Sequence, residues 1–307
     1  MSVPWGNTLL IANPAAQNGR SASLIDKAAG YLRGKLPHGT FDVQPTHYAG
    51  HAREIAETVT DVDTILVLGG DGIAHEAVNG LMQRAEDNRP TLGIIPVGSG
   101  NDLARTLRIP DDITAACDTL LAADVQLSDV GRVNNEYFIE TLSFGLDAAI
   151  ALDTVERRKK TGKRGTILYM ESGFDQLLHH LDSYEYTLSV DGSTPVEGKS
   201  ITFAVQNGPY YGGGFKICPD ASLTDGALDI CIAHPPVGVA KACFIFLQAK
   251  DGRHTRMKQM ELFRATSLYL TFEKHPPTQA DGEYVDGTTF DIRICPAALP
   301  MLMPSMK

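Results

Sequence analysis

The chain has 307 residues, 43% of them hydrophobic, and a formal net charge of −10, the profile of a folded protein with one large domain or two. That acidity argues against a general nucleic-acid binder, and no apolar run approaches the roughly 18 residues needed to span a bilayer. Met1-Ser2-Val3-Pro4-Trp5-Gly6 has no basic segment typical of a signal peptide, and the five cysteines (117, 218, 231, 243, 295) lack ligand spacing, so buried thiols in a cytoplasmic protein are expected.

In chain order, short apolar strands alternate with helical stretches up to about residue 125: 8–13 then 21–35, 41–46 then 50–60, 64–68 then 73–84, 92–97 then 99–107. This order predicts an α/β fold with a doubly wound, mostly parallel sheet. Two glycine-rich segments fall at strand ends. Gly69-Gly70-Asp71-Gly72 follows the apolar run Thr64–Leu68, and Gly98-Ser99-Gly100-Asn101-Asp102 follows Leu92–Val97. After the first, Ile73, Ala77, Val78, Leu81 and Met82 recur at helical spacing and would form one apolar face. Loops without Cβ atoms let backbone N–H groups approach an anion, and a helix N-terminus adds about half a positive charge. Two such loops on neighbouring strands would make one phosphate-binding edge.

Familiar nucleotide loops fail on spacing. The Gly-Lys pairs at 34–35, 162–163 and 198–199 have Ala29, Arg157 and Ser193 where a Walker A loop needs glycine. A dinucleotide fingerprint would need glycine at His75 or Leu103. What remains is strand–GGDG–helix, with Asp71 inside the loop. A carboxylate at a phosphate site is reasonable if Mg²⁺ lies between them; the plain alternative is a turn with Asp at a tight bend.

The second half reads differently. Apolar strands at 125–133, 136–144, 184–191, 199–207, 227–234, 266–273 and 290–295 are punctuated by Asp191-Gly192, Asp225-Gly226 and Asp286-Gly287. Helical stretches at about 146–160, 167–180 and 237–248 interrupt them. The expectation is a nucleotide-binding domain over 1–125, a β-rich, sandwich-like domain over 126–296, and a C-terminal segment, 297–307.

Gly70-Asp71-Gly72-Ile73-Ala74-His75-Glu76 with Asn79-Gly80-Leu81, then Gly93 to Asp102, resembles the diacylglycerol kinase catalytic family, which includes bacterial lipid kinases and sphingosine kinases. The likeness continues at Asn13-Pro14, Thr46 with Gly50-His51-Ala52, Tyr211 to Lys216, Pro219-Asp220-Ala221, Asp225 to Asp229 and Asp281-Gly282-Glu283. It implies the two-domain fold, a substrate cleft between the domains and a C-terminus that returns to the first. It implies ATP contacts at Asn13, Thr46, Gly69, Gly70, Asp71, Gly72, Glu76, Gly98, Ser99, Gly100 and Asn101, with Asp71 working through Mg²⁺. Glu283 would be the catalytic base, and Asp220 with the carbonyls of Ile217 and Ser222 would hold a structural Mg²⁺. Read without the family, Thr46 and Ser99 are helix-capping candidates and Asp-Gly-Glu is a solvated hairpin turn.

Ile73 and His75 stand where the family has threonine and asparagine. Ile73 removes a hydroxyl from the helix start. His75 reads as a solvent-facing helix residue, with a replacement phosphate donor as the alternative. The run Arg157 to Arg164 packs six cations into eight residues; it is either a solvated helix end or a patch for anionic headgroups.

The function expected is an ATP-dependent, Mg²⁺-requiring lipid kinase acting on a hydroxyl such as that of diacylglycerol, in the cytoplasm or at the inner membrane face. Its partner is a lipid at the membrane surface and not nucleic acid, and a homodimer is compatible with it. The alternatives are an NAD kinase, which would share the first loop, and a nucleotide- or lipid-binding protein that has lost turnover.

Overall fold

A computed structural model describes residues 5–14, 21–36, 41–163 and 165–305. The chain divides into two compact units, residues 1–128 with 297–307, and residues 129–296.

The first unit opens with β1 (Thr8–Ala12), α1 (Ser21–Arg33), β2 (Phe41–Pro45), α2 (His51–Thr58), β3 (Thr64–Gly69), α3 (Asp71–Met82) and β4 (Thr91–Pro96). Two further helices follow, α4 (Asp102–Thr106) and α5 (Ile113–Leu121). The strands lie parallel in the order β2-β1-β3-β4. β1 and β3 are buried along their whole length, so they are continuous apolar runs rather than alternating ones, as a sheet covered on both faces requires. Helices α2 and α3 cross closely at Gly80, where an added Cβ would stand 2.2 Å from the Arg53 carbonyl oxygen.

The chain passes to the second unit along β5 (Asp124–Val133). There follow β6 (Glu136–Phe138), β7 (Thr141–Gly145), α6 (Leu146–Thr161), α7 (Thr166–His179), β8 (Tyr184–Val190), β9 (Val196–Ser200) and β10 (Thr202–Gln206). Then come β11 (Tyr210–Tyr211), β12 (Phe215–Lys216), β13 (Leu228–Ala233), α8 (Val239–Ala249), β14 (Met260–Ala265) and β15 (Ser267–Phe272). β16 (Thr278–Ala280), β17 (Glu283–Tyr284) and the 15-residue β18 (Thr289–Met303) complete the chain. One antiparallel sheet runs β14-β13-β10-β7-β16-β17. A second joins the first half of β18 to β15, β8 and β9. Alternate residues of the two sheets meet in one core, with Leu142, Phe144, Phe203, Val205 and Ile230 from the first and Leu188, Leu268, Leu270, Phe290 and Ile292 from the second. This is the sandwich expected from the strand spacing. β18 then leaves it, and Met301 pairs with Leu92 of β4.

Candidate active site

The carboxyl ends of the parallel strands carry the first unit's candidate residues. Asn13 follows β1, Thr46 follows β2, Gly70 follows β3 and Gly98 lies just past β4. Such an edge is where open α/β sheets take ligands. The Thr46 N–H donates to the Ala12 carbonyl at 2.8 Å and the Val97 N–H to the Gly69 carbonyl at 2.8 Å, extending the parallel pairing just beyond the strands.

The two glycine loops touch backbone to backbone. A Cβ on Gly98 would stand 2.4 Å from the Gly70 Cα, and one on Gly70 would stand 3.0 Å from the Gly98 Cα. Only glycine allows this approach. Gly69 is equally constrained, because a Cβ there would meet the Ile73 Cγ2 at 2.3 Å. Gly70 is the N-cap of α3, and Asp71 and Gly72 form its first turn.

Asp71 joins the loops chemically. Its Oδ1 accepts the Asp102 N–H at 2.8 Å and the Leu103 N–H at 3.4 Å, so it caps α4 from 31 residues away. Asn101, the N-cap by position, has a left-handed backbone (φ 54°) and makes no capping bond of its own. Its Nδ2 instead donates to the Gly98 carbonyl at 3.2 Å. Ser99 is therefore not the helix cap that its position suggested. The Asp71 Oδ2 faces Gly100, where an added Cβ would come within 2.7 Å. Beside the second loop lies a cleft of about 440 Å³, lined by residues 96–101 with Lys27, Arg105, Asp111 and Asp112 at its sides.

Glu76 does a job that residue spacing could not reveal. Its two carboxylate oxygens accept the N–H groups of Gly50 at 2.9 Å and Ala52 at 3.1 Å. It thereby pins the start of α2 and the chain leading there from Thr46. Glu76→Ala would leave two amides without acceptors, and each orphaned donor costs about 1–3 kcal/mol where it is shielded from water. Lower stability and a higher KM for nucleotide are expected together, from chemical unfolding and initial rates; neither changing would contradict this role.

His75 corrects the sequence reading. It is buried, 8% exposed, and Asn79 Nδ2 lies 3.2 Å from its Nε2 and 3.0 Å from its carbonyl oxygen. With the amide as donor, the ring nitrogen accepts, so Nε2 offers no proton to a phosphate. The buried face of α3 is wider than the spacing of Ile73, Ala77 and Val78 implied, since it also takes in Ala74, His75 and Asn79. Ile73 is 9% exposed and packs on the Gly69 backbone. Ile73→Thr should therefore cost about 1–2 kcal/mol of stability by losing apolar packing and burying a hydroxyl. ATP affinity should not improve. Calorimetric titration beside denaturant unfolding checks this, and tighter binding at unchanged stability would contradict it.

In the second unit, Glu283 is exposed on β17, just after a tight turn in which Asp281 and Gly282 have φ of 49° and 92°. Asp220 is exposed, Ile217 is buried with its N–H donating to the Pro209 carbonyl at 3.0 Å, and the Ser222 hydroxyl lies 3.3 Å from that of Thr224. Among the described residues no three His, Cys, Asp or Glu side chains gather as a metal cluster. A site of one carboxylate and two carbonyls is a different, all-oxygen donor set, of the kind Mg²⁺ accepts while keeping several waters.

The basic run ends α6, where cations suit the C-terminal dipole. Arg157 pairs with Asp153 and Asp175, Lys160 with Glu156 and Lys163 with Glu171. Arg164 lies outside the described residues. No helix among the described residues is long and apolar enough to cross a membrane.

A parallel α/β unit with paired glycine loops, followed by an antiparallel sandwich, defines a fold shared by NAD kinases and diacylglycerol kinases. Residues 7–133 match the family model described as the diacylglycerol kinase catalytic domain, and residues 140–303 match the YegS C-terminal NAD kinase beta sandwich-like domain. The chain belongs to the diacylglycerol kinase family. It is 33% identical to a diacylglycerol kinase of Bacillus subtilis (strain 168) over 242 residues, 78% of each chain. It is 30% identical to one from Staphylococcus aureus (strain JH9) over 222 residues, covering 72% of this chain and 68% of the other. A solved diacylglycerol kinase structure from Bacillus anthracis str. Sterne superposes with a TM-score of 0.80 at 26% identity, covering 98% of both chains. An NAD kinase from Archaeoglobus fulgidus, 11% identical over 97% of this chain and 93% of the other, reaches a TM-score of 0.51 and shares the fold.

Proposed function

We propose that the protein is an ATP-dependent lipid kinase that transfers the γ-phosphoryl group to a lipid hydroxyl such as that of diacylglycerol. The observation that carries this reading is the backbone contact of the two glycine loops around Asp71, in a chain of this family. Phosphoryl transfer asks mainly for positioning and charge neutralisation. Backbone N–H groups at the loop edge would receive the phosphates, with Asn13, Thr46 and Ser99 beside them; Lys27 and Arg105 stand nearby, paired with Asp112 and Asp102. A carboxylate at this edge is a ligand of the kind Mg²⁺ takes, and Asp71, whose Oδ1 accepts the amides that start α4, would hold the ion through Oδ2. When bound, Mg²⁺ supplies neutralisation of the charge on the phosphate oxygens. Glu283 accepts the proton of the lipid hydroxyl as the bond to phosphorus forms. Asp220 with the carbonyls of Ile217 and Ser222 would hold a second, structural Mg²⁺ in the second unit.

The basic end of α6 would meet anionic headgroups, at about 1 kcal/mol for a cation near the surface and less for Arg157, Lys160 and Lys163, whose charge neighbouring carboxylates already offset. The reading is tested by incubating the purified protein with γ-labelled ATP and mixed micelles of lipids that carry one free hydroxyl. Triacylglycerol, which has none, is the control. Label in the hydroxyl-bearing lipids alone is expected; no labelled lipid across the panel would overturn the lipid-kinase reading and leave an NAD kinase or a binding protein without turnover.

A further inference from the structure

We infer that Asp281 is a positioning residue that sets the direction of Glu283 by clamping its turn onto three backbone N–H groups; this rests on the reading of Glu283 as the base. The Asp281 carboxylate accepts the N–H groups of Ile139 at 2.8 Å, Glu140 at 3.0 Å and Thr141 at 3.0 Å. All three residues are at least 97% buried, so water cannot easily replace the carboxylate.

The segment it grips is held from its other side as well. Asn207 Nδ2 donates to the Ile139 carbonyl at 2.8 Å. The N–H groups of Asn207 and Gly208 donate to the Glu140 carbonyl at 2.9 and 3.1 Å. Residues 139–141 are thus a fixed frame, and Asp281 docks the turn onto it. The turn has its own braces. The Asp281 N–H donates to the Thr141 carbonyl at 2.9 Å, and the Gly282 N–H donates to Gln279 Oε1 at 2.6 Å. Gln279 is anchored in turn by its Nε2 donating to Ser143 Oγ at 2.7 Å.

Glu283, by contrast, is exposed, and no hydrogen bond holds its side chain among the described residues. Its aim comes from its backbone, which pairs with Ala280 across the turn. Asp281 and Gly282 occupy left-handed conformations there, at φ of 49° and 92°. Asparagine at 281 tolerates that conformation but presents only one acceptor to three N–H groups, and its own NH₂ opposes them.

A double-mutant cycle tests the assignment. Asp281→Asn should lower kcat by about 10²-fold, the scale of a misplaced reacting group, with the ATP KM unchanged. Amide hydrogen exchange at residues 139–141 should accelerate. In a Glu283→Gln background, Asp281→Asn should add little, because both act through one group. Gly282→Ala is the second probe, since a Cβ there meets nothing within 4 Å and only the positive φ is strained. It too should lower kcat and be nearly silent beside Glu283→Gln. If Glu283→Gln is impaired but both changes keep their full cost in that background, the positioning role alone is overturned. If Glu283→Gln keeps wild-type turnover, the base assignment falls and takes this inference with it. Unchanged exchange at 139–141 would also overturn the clamp.

Discussion

Asp71→Asn should lose turnover by about 10²–10³-fold while the protein keeps its stability, the range seen when a charge-stabilising group is removed from a transition state. The asymmetry of the carboxylate makes this variant informative. Oδ1 accepts the Asp102 and Leu103 N–H groups, and an asparagine oxygen can still do so. The second oxygen becomes an NH₂, so the negative charge and the acceptor at that atom are lost together. Asp71→Ala should lose turnover equally and also about 0.5–2 kcal/mol of stability, because α4 loses its cap. Initial rates with thermal melts of both variants separate the two roles. An asparagine variant with wild-type turnover would remove Asp71 from the chemistry and leave it a capping residue.

Glu283→Gln carries the other large effect. The rate should fall by about 10²-fold or more, as for loss of a general base, with ATP affinity retained. Stability should hardly move, since the side chain is exposed and holds no other group. Single-turnover rates beside equilibrium nucleotide binding are the check. Collapsed ATP binding with an intact rate at saturation would assign Glu283 to the nucleotide site instead.

Local signals made the sheet readable. The runs at Thr64–Leu68 and Leu92–Val97 are apolar because both faces of those strands are covered, and the glycines after them mark a backbone-to-backbone approach. Long-range partnerships were not readable. No spacing rule connects Asp71 to a helix starting at Asp102, Glu76 to the amides of Gly50 and Ala52, or Asp281 to Ile139. His75 looked solvent-facing because the apolar stripe was drawn too narrow, whereas the residue is buried and Asn79 Nδ2 lies 3.2 Å from its Nε2. Helix α5 was not anticipated; Cys117 and Leu120 give it a buried side, and Asp112 caps it through the Ala115 N–H at 3.0 Å. The length of β18 was hidden by Pro296 and Pro300, residues that normally argue against a strand interior.

The most direct test is a single reaction containing the purified protein, Mg²⁺, γ-labelled ATP, diacylglycerol in mixed micelles and NAD, separated afterwards by organic extraction. Label is expected in the lipid phase and should be lost in the Asp71→Asn protein. Label in phosphorylated NAD, resolved from ATP by chromatography of the aqueous phase, or lipid labelling that survives without the Asp71 charge, would contradict this function.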